Sequence, residues 1–328
     1  MIEAPQLLLD PSLAVARVFL RTSMNTRCDD NDVARCASAL KSLRNSSIYQ
    51  VEHVGSVLAL GLTLQTFQRL TSGVSADVIC RATLHHVQPW YERMWNDPSA
   101  SMELVCLVFI DTMQSLFRRR VPVLPYRVRD PFLVDRYAGI CCPLLPLLYR
   151  VCVMAAAVRE DDAWSTTHIS TWEILKDEIY SWLPSIASNT FEDFSESEKT
   201  LVMSQAQVYR DGALLLLQRI RFPLTNSDED SKSLSKSIVN HIRYCYANTG
   251  HAPRNITLPF LVAAAEAENT RDRHEILSLV SILRGANIYP CFSTLRELVQ
   301  NIWVAQESGN PPSLFSVFDQ HADINILP

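Results

Sequence analysis

Glycine is scarce in this chain, with only 8 residues among 328, whereas average protein usage is about 7%. Tight hairpin turns and loops that cradle phosphate groups need glycine, because a residue without a side chain adopts their backbone angles freely. Helices joined by ordinary loops need much less of it. The scarcity therefore favours helices over sheet, and it argues against a phosphate-binding loop.

Apolar residues recur at helical spacing along most of the sequence. Between positions 202 and 220 they are separated by alternating steps of four and three, which places them on one stripe of a helix. That stripe consists of Val202, Ala206, Tyr209, Ala213, Leu216 and Ile220. Gln205, Arg210 and Gln218 are expected on its solvent-facing side. The pattern predicts an all-α fold, a large irregular bundle of about a dozen helices, in a single domain over residues 1–328 with surface loops near 185–195 and 225–230.

Three segments carry the Ser/Thr-x-x-Glu spacing of a capping box, in which a hydroxyl and a carboxylate bind the free amide groups of a helix start. They are Ser170–Glu173, Ser195–Glu198 and Thr294–Glu297. Each predicts the beginning of a helix.

Residues 54–70 are apolar nearly all round, which predicts a helix at the centre of the bundle. Gly55 and Gly61 are the small residues within it. Glycine destabilises a helix by up to about 1 kcal/mol relative to alanine, so these positions suggest close approach by a neighbouring helix. The apolar segment 102–117 is the expected neighbour.

The net charge is −5 and nine cysteines are present, none in a Cys-x-x-Cys pair. A negative chain lacks the clustered cations that neutralise phosphates, so general nucleic-acid binding is not expected. The cysteine spacing lacks the pattern of zinc knuckles and ribbons and is typical of a reducing compartment. We expect no metal and no cofactor.

Residues 138–158 are long enough to span a membrane, but Pro143, Pro146 and Arg150 interrupt them. Such residues are costly in hydrocarbon, so a buried, proline-kinked helix is the preferred interpretation and no membrane partner is expected. The amino terminus lacks the cationic start and apolar core of a secretory signal.

One candidate effector pocket is marked by His85, His86 and Trp90, together with Asp111. Aromatic and histidine side chains on one helix could line a site for a lipophilic ligand. The competing and favoured interpretation is an amphipathic helix with core aromatics and rim histidines. Asp111 lies in an apolar run, where a lone carboxylate would become neutral, as at some catalytic sites. More commonly such an acid points outward or meets an arginine.

A cluster of arginines follows the apolar segment 102–117. It comprises Arg118, Arg119, Arg120, Arg127 and Arg129. It could be a nuclear-import signal or a docking patch for an acidic partner. Equally, the first three could end a helix, where cations favour the carbonyl dipole, with the others in surface ion pairs.

Several motifs in the second half of the chain resemble those of a known family. They are Tyr209 with Ala213–Leu216 and Arg219, Pro259–Ala263 with Glu266 and Ala267, then Arg273, Leu295, Leu298 and Trp303, and the earlier segment Asp135–Ile140. Together they resemble the helical regulatory region of fungal zinc-cluster transcription factors. That resemblance implies an all-α regulatory domain that modulates activation and in some members responds to a small effector.

The family places six cysteines, in two Cys-x2-Cys-x6-Cys halves, before this region to hold two zinc ions. Cys28 and Cys36 do not form that pattern. Either a zinc module is encoded upstream of Met1, or the chain is a stand-alone relative without direct DNA binding. The expected partners are the transcription machinery or a second copy of this chain, with a small hydrophobic effector, in the nucleus or cytoplasm. Two alternatives remain: an enzyme acting on a lipophilic metabolite in a former effector pocket, and a helical assembly subunit.

Overall fold

The structure is a computed structural model that describes residues 4–23, 29–46, 48, 50–71, 76–95, 102–128, 130–161, 164–185, 192–224, 229–285, 291–307 and 313–321. These residues form fourteen α-helices and three short 3₁₀ helices, and their only β-type pairing is an isolated bridge between Asp135 and Gly139. The predicted all-α class is therefore confirmed.

Two compact units make up the chain. Unit 1 consists chiefly of residues 1–111, and unit 2 chiefly of residues 112–287 and 292–322. The single domain over residues 1–328 stays a prediction. Of the two predicted surface loops, residues 186–191 and 225–228 lie outside the described residues.

Unit 1 contains six helices, the last of which continues into unit 2. They are α1 (Ala4–Ser23), α2 (Asp30–Asn45), α3 (Val54–Thr71), α4 (Asp77–Val87), α5 (Tyr91–Trp95) and α6 (Met102–Arg118), with 3₁₀ turns at Val51–His53 and Gln88–Trp90. The central helix is α3, as predicted, and it packs mainly against α1 and α4 and also against α2. Segment 102–117 forms α6, which contacts α4: the Cys80 thiol lies 3.4 Å from the Leu107 carbonyl. The predicted pairing of this segment with α3 stays a prediction.

The two glycines of α3 differ in their surroundings. A Cβ atom added at Gly61 would lie 2.2 Å from Oγ1 of Thr83 on α4, closer than real Cβ contacts allow. A Cβ atom at Gly55 would meet nothing within 4 Å. The predicted close helix approach is therefore confirmed at Gly61 and wrong at Gly55, which lies on the exposed side of the helix.

Unit 2 contains eight further helices. They are α7 (Leu145–Asp161), α8 (Thr166–Ser181), α9 (Glu196–Arg221), α10 (Glu229–Thr249), α11 (Thr257–Ala264), α12 (Thr270–Gly285), α13 (Cys291–Glu307) and α14 (Leu314–Gln320), with a 3₁₀ turn at Cys142–Leu144. The longest is α9, with 26 residues, and it contacts α7, α8, α10 and α11. It is the central helix of unit 2.

The predicted stripe of α9 is confirmed, but its predicted solvent-facing side is wrong. Ala206, Tyr209 and Ala213 are buried, yet Gln205 and Gln218 are buried as well, at 5% and 4% exposure. A helix surrounded by neighbours buries its polar face too, and most buried polar groups then find a hydrogen-bond partner. Oε1 of Gln218 has none among the described residues. The amide of Gln205 finds such partners in two loop carbonyls.

One of the three predicted helix starts is confirmed. Ser195 caps α9 in a reciprocal capping box with Glu198. Ser170 and Thr294 lie inside helices that begin earlier, at Thr166 and Cys291. The start of α8 is capped by Ser165 with the side chain of His168, a pairing that a search for Glu or Gln at the third helical position cannot find.

The apolar segment that is long enough to span a membrane forms α7 and the turn before it. With its preceding turn, residues Cys142–Asp161 are long and apolar enough to cross a membrane, but half of the most apolar window is buried against the protein. Pro143 lies in the 3₁₀ turn and Pro146 in the first turn of α7, where the missing amide hydrogen costs little. The predicted burial is thus confirmed in part, and the prolines precede the body of the helix instead of kinking it.

Candidate functional site

A buried ion pair joins two of the sequence motifs in unit 2. Nε and Nη2 of Arg219, on α9, donate to the two carboxylate oxygens of Glu266 at 2.6 Å each, and Nη1 donates to the Pro223 carbonyl at 2.9 Å. Both side chains are only 1% exposed. This two-pronged geometry satisfies both charges away from water, and it fixes the end of α11 against α9.

The remaining motif residues hold the same region. Trp303 donates from its indole nitrogen to the Ala264 carbonyl at 2.8 Å, and Nε of Arg273 donates to the Ala267 carbonyl at 3.2 Å. These bonds satisfy carbonyl groups at and just after the end of α11 that the helix itself leaves open. The guanidinium of Arg273 also lies over the Trp303 ring. The motif that ends in Trp303 therefore has a structural role.

Another motif, Asp135–Ile140, forms a tight turn that closes on itself. Oδ1 of Asp135 accepts hydrogen bonds from the amides of Tyr137 and Ala138 at 2.7 and 2.8 Å. Gly139 completes the turn at a φ of +58°, which favours a residue without a side chain.

Polar side chains of α9 tie this turn to a second one. Nε2 of Gln205 donates to the Tyr137 carbonyl at 3.3 Å and to the Arg254 carbonyl at 3.0 Å. Tyr209 donates its hydroxyl to the Asn255 carbonyl, and Asn255 in turn donates to Tyr137. Burial raises the pKa of Tyr209 well above its usual value, so its hydroxyl remains a donor.

Between these turns and the start of α9 lies an open cavity of about 380 Å³, which we name the turn cleft. Its lining comprises Val134, Asp135, Arg136, Tyr137, Gly139, Phe194, Glu198, Leu201, Val202, Gln205 and Arg254. The combination of apolar walls with a few converging polar groups is what small-molecule sites show.

A larger and more polar cavity of about 630 Å³ lies between α10, α12 and the segment after α11, and we name it the α10–α12 groove. Lys232 pairs with Glu268 at 3.1 Å and Arg243 pairs with Glu275. Two further cations line it, namely Lys236 and Arg271, and neither pairs with any residue that the structure describes.

The predicted effector-pocket residues lie in unit 1. His85 is exposed and His86 half-buried at the end of α4, while Trp90 lies in the following turn beneath the guanidinium of Arg93. Asp111 is fully buried and binds Arg81 at 2.9 Å, so the expectation that it meets an arginine is confirmed. None of these four predicted residues lines the turn cleft or the groove, and the pocket stays a prediction.

Part of the arginine cluster makes contacts within unit 2. Arg118 ends α6 and its carbonyl accepts a hydrogen bond from Arg159 at 3.0 Å, while Arg119 pairs with Asp319 at 2.8 Å. Arg127 is exposed, and Arg129 lies outside the described residues. The helix-end interpretation of Arg118 is confirmed, while the import signal and docking patch stay predictions.

The buried cysteine thiols are poorly suited to nucleophilic catalysis or metal binding at neutral pH. Burial raises the pKa of the Cys142 thiol from 9.0 to about 12, and it raises those of Cys80 and Cys141 well above the usual value. A protonated thiol is a poor nucleophile and metal ligand. Among the residues that the structure describes, no group of three or more His, Cys, Asp or Glu side chains is placed to hold a metal ion.

Sequence reasoning missed both cavities, although some signals were present. Asp135–Ile140 stood out by resemblance, but nothing in the sequence placed it beside Gln205 or Arg254. Lys236 and Arg271 belong to ordinary amphipathic helices, and only the fold reveals that they line one groove.

Comparison with protein families gives a match. The family model described as the fungal specific transcription factor domain matches residues 1–326. No curated protein and no solved structure matches the chain. Because the family model spans almost the whole sequence, and because the all-α architecture agrees with what the motif resemblance implied, the chain belongs to the fungal specific transcription factor domain family.

Proposed function

We propose that this chain is a transcription-regulatory domain that acts by binding a protein partner and a small effector, while another polypeptide or segment reads the DNA. The observation that carries the proposal is the family match over residues 1–326. The 328 residues contain no Cys-x-x-Cys pair that could begin a zinc module. Nuclear residence is part of the proposal.

The positions of the motif residues support a binding role. Arg219, Glu266 and Trp303 are buried and bonded within the protein, so their chemistry is not available to a substrate. Catalysis by acid or base would require a titratable group within reach of a bound substrate. What unit 2 offers instead is surface shape and charge around a fixed framework.

The α10–α12 groove is the proposed surface for the partner. Its anions Glu268 and Glu275 are paired with Lys232 and Arg243, and Glu266 is neutralised by Arg219 beneath. Lys236 and Arg271 are exposed cations without a described partner. Glu229 and Asp272 also line the groove without an ion pair to any residue that the structure describes. The groove therefore presents unpaired charges of both signs, and it suits a protein segment that carries both acidic and basic side chains.

The strength of this attraction is expected to be modest. Exposed charge pairs contribute about 0–1 kcal/mol each and are screened by salt. Two cations at the rim of a groove would guide and orient a partner more than they would hold it. Such a contact is reversible, as regulation requires.

A tethered reporter tests the proposal. The chain is fused to an unrelated DNA-binding domain and placed upstream of a reporter gene in a fungal host. We expect the fusion to change reporter output relative to the DNA-binding domain alone, and Lys236→Glu with Arg271→Glu to remove most of that change. The matched control is Lys41→Glu with Arg296→Glu, which reverses two exposed helical cations outside the groove.

Two results would contradict the proposal. If the tethered wild-type chain leaves the reporter unchanged, the regulatory role fails. If both double variants reduce output equally, the groove is not the partner surface. Equal thermal stability of the purified variants shows that any difference comes from binding.

A further inference from the structure

The acidic side chains of the turn cleft are already satisfied by the protein. Oδ1 of Asp135 accepts two backbone amides. Oε2 of Glu198 accepts the amide and the hydroxyl of Ser195 at 2.8 and 2.7 Å, and these bonds lower the pKa of Glu198. Both carboxylates therefore serve local backbone structure, which leaves them less available to a ligand.

The two cations of the cleft, by contrast, are not satisfied by the described part of the protein. Arg136 and Arg254 are exposed at its edge, and neither side chain makes an ion pair or hydrogen bond with any residue that the structure describes. A guanidinium offers a planar pair of donors that matches a carboxylate. The cleft thus presents two such groups to solvent.

Gln205 adds a hydrogen-bond acceptor to the lining of the cleft. Its Nε2 donates to the Tyr137 and Arg254 carbonyls, which fixes which end of the amide is oxygen. Its Oε1 accepts no hydrogen bond from the described part of the chain. A Cβ atom at residue 139 would lie 2.4 Å from this oxygen, so glycine at that position leaves the oxygen its space.

The wall of the cleft is apolar. Phe194, Leu201 and Val202 line it and are half-buried, so each can still lose water to an aliphatic group. The four charged side chains of the lining, two acidic and two basic, sum to zero. A singly charged ligand suits that balance better than a polyanion, whose extra charges would find no partner.

We propose that the turn cleft binds a small amphipathic carboxylate that carries a hydroxyl or amide hydrogen: the carboxylate contacts Arg136 and Arg254, the hydrogen is donated to Oε1 of Gln205, and the aliphatic body packs on Phe194, Leu201 and Val202. This inference rests on the proposed function, since it gives the chemical class of the proposed effector. A hydroxylated medium-chain acid is the simplest member of the class.

Calorimetric titration of the purified full chain tests each element separately. The probes are 3-hydroxyoctanoate, octanoate, which lacks the donor, and methyl 3-hydroxyoctanoate, which lacks the charge. We expect 3-hydroxyoctanoate to bind about fivefold more tightly than octanoate, as one neutral hydrogen bond implies, and at least about tenfold more tightly than the ester.

Variants then locate the site. Arg136→Glu with Arg254→Glu is expected to abolish binding of 3-hydroxyoctanoate. Arg136→Lys with Arg254→Lys keeps the charge but loses the planar fork, so its affinity is expected to be intermediate. Arg296→Glu is the control and is expected to bind as the wild type does. Gln205 is left unchanged because it holds two turns together.

Several outcomes would overturn the inference. They are no measurable heat with 3-hydroxyoctanoate, equal affinity for the acid and its ester, or undiminished binding by the Arg136→Glu/Arg254→Glu variant with an unchanged unfolding temperature. The titration involves no transcription, and the tethered reporter depends on groove residues, so failure of one proposal is distinguishable from failure of the other.

Discussion

Each unit contains a buried carboxylate bound by arginine, but the two sites differ in how far the arginine side chains are exposed to solvent. In unit 2 both members of the Arg219–Glu266 pair are 1% exposed. In unit 1 the carboxylate of Asp32 is fully buried, yet Arg17 and Arg21, which bind it at 3.0 and 3.1 Å, are 43% and 30% exposed. One pair is enclosed by protein, while the other remains in contact with solvent.

This difference predicts which pair the fold depends on. A charge that loses its partner in a dry site keeps the full cost of desolvation, whereas a charge near water is solvated again at little cost. Asp32 also has Arg35 within 3.9 Å, so the loss of one arginine leaves others. Glu266 binds Arg219 through both of its carboxylate oxygens.

The largest expected effect comes from Glu266→Ala. It leaves the Arg219 guanidinium buried without its anion, and we expect unit 2 to lose about 3–5 kcal/mol of stability. Denaturant unfolding gives the loss, and hydrogen exchange of amides in α9 and α11 shows whether it is confined to unit 2.

The double substitution Arg219→Met with Glu266→Leu sharpens this test. It removes both charges while roughly keeping the volume, and such replacements are often neutral or stabilising. A double variant as unstable as Glu266→Ala would show that packing, and not the unpaired charge, sets the cost.

The sequence was sufficient to predict where helices form. It was insufficient to predict which residues pack around each helix. The stripe from Val202 to Ile220 predicted α9 because one buried face is enough to impose a helical period. It could not predict that Gln205 and Gln218 are buried as well, because that depends on neighbours on every side of α9.

The same limit explains why the turn cleft was not predicted. Gln205 meets Tyr137 across 68 positions of sequence and Arg254 across 49. A capping box works within four residues and leaves a local pattern, whereas a side chain that bonds to distant carbonyls leaves none. The motif resemblance identified Asp135–Ile140 and Tyr209 but assigned them no contact.

Helix packing in unit 1 provides the second prediction. Gly61→Ala would force Thr83 and α4 away from α3, and we expect a net loss of about 1–2 kcal/mol, since overpacking outweighs the gain in helix propensity. Gly55→Ala is the matched control on the same helix and is expected to gain up to about 1 kcal/mol, because its added methyl group meets nothing.

The denaturant midpoints of Gly61→Ala and Gly55→Ala, each compared with that of the wild type, measure these two changes in stability. A stabilising Gly61→Ala would mean that α4 can shift without cost, and that unit 1 is loosely packed at this contact. A destabilising Gly55→Ala would point to a neighbour of that face beyond the described residues.

The smallest expected effect tests the solvent-facing pair. Arg17→Ala should cost less than about 1 kcal/mol, because Arg21 still binds Asp32 and water reaches the site. Arg17→Met keeps most of the aliphatic stem and separates lost packing from lost charge. Unfolding measured at low and high salt should show a smaller difference between wild type and Arg17→Met at high salt, since screening weakens exposed pairs. A salt-independent loss as large as that of Glu266→Ala would mean that the Asp32 site is as dry as the one in unit 2, and the contrast between the two units would disappear.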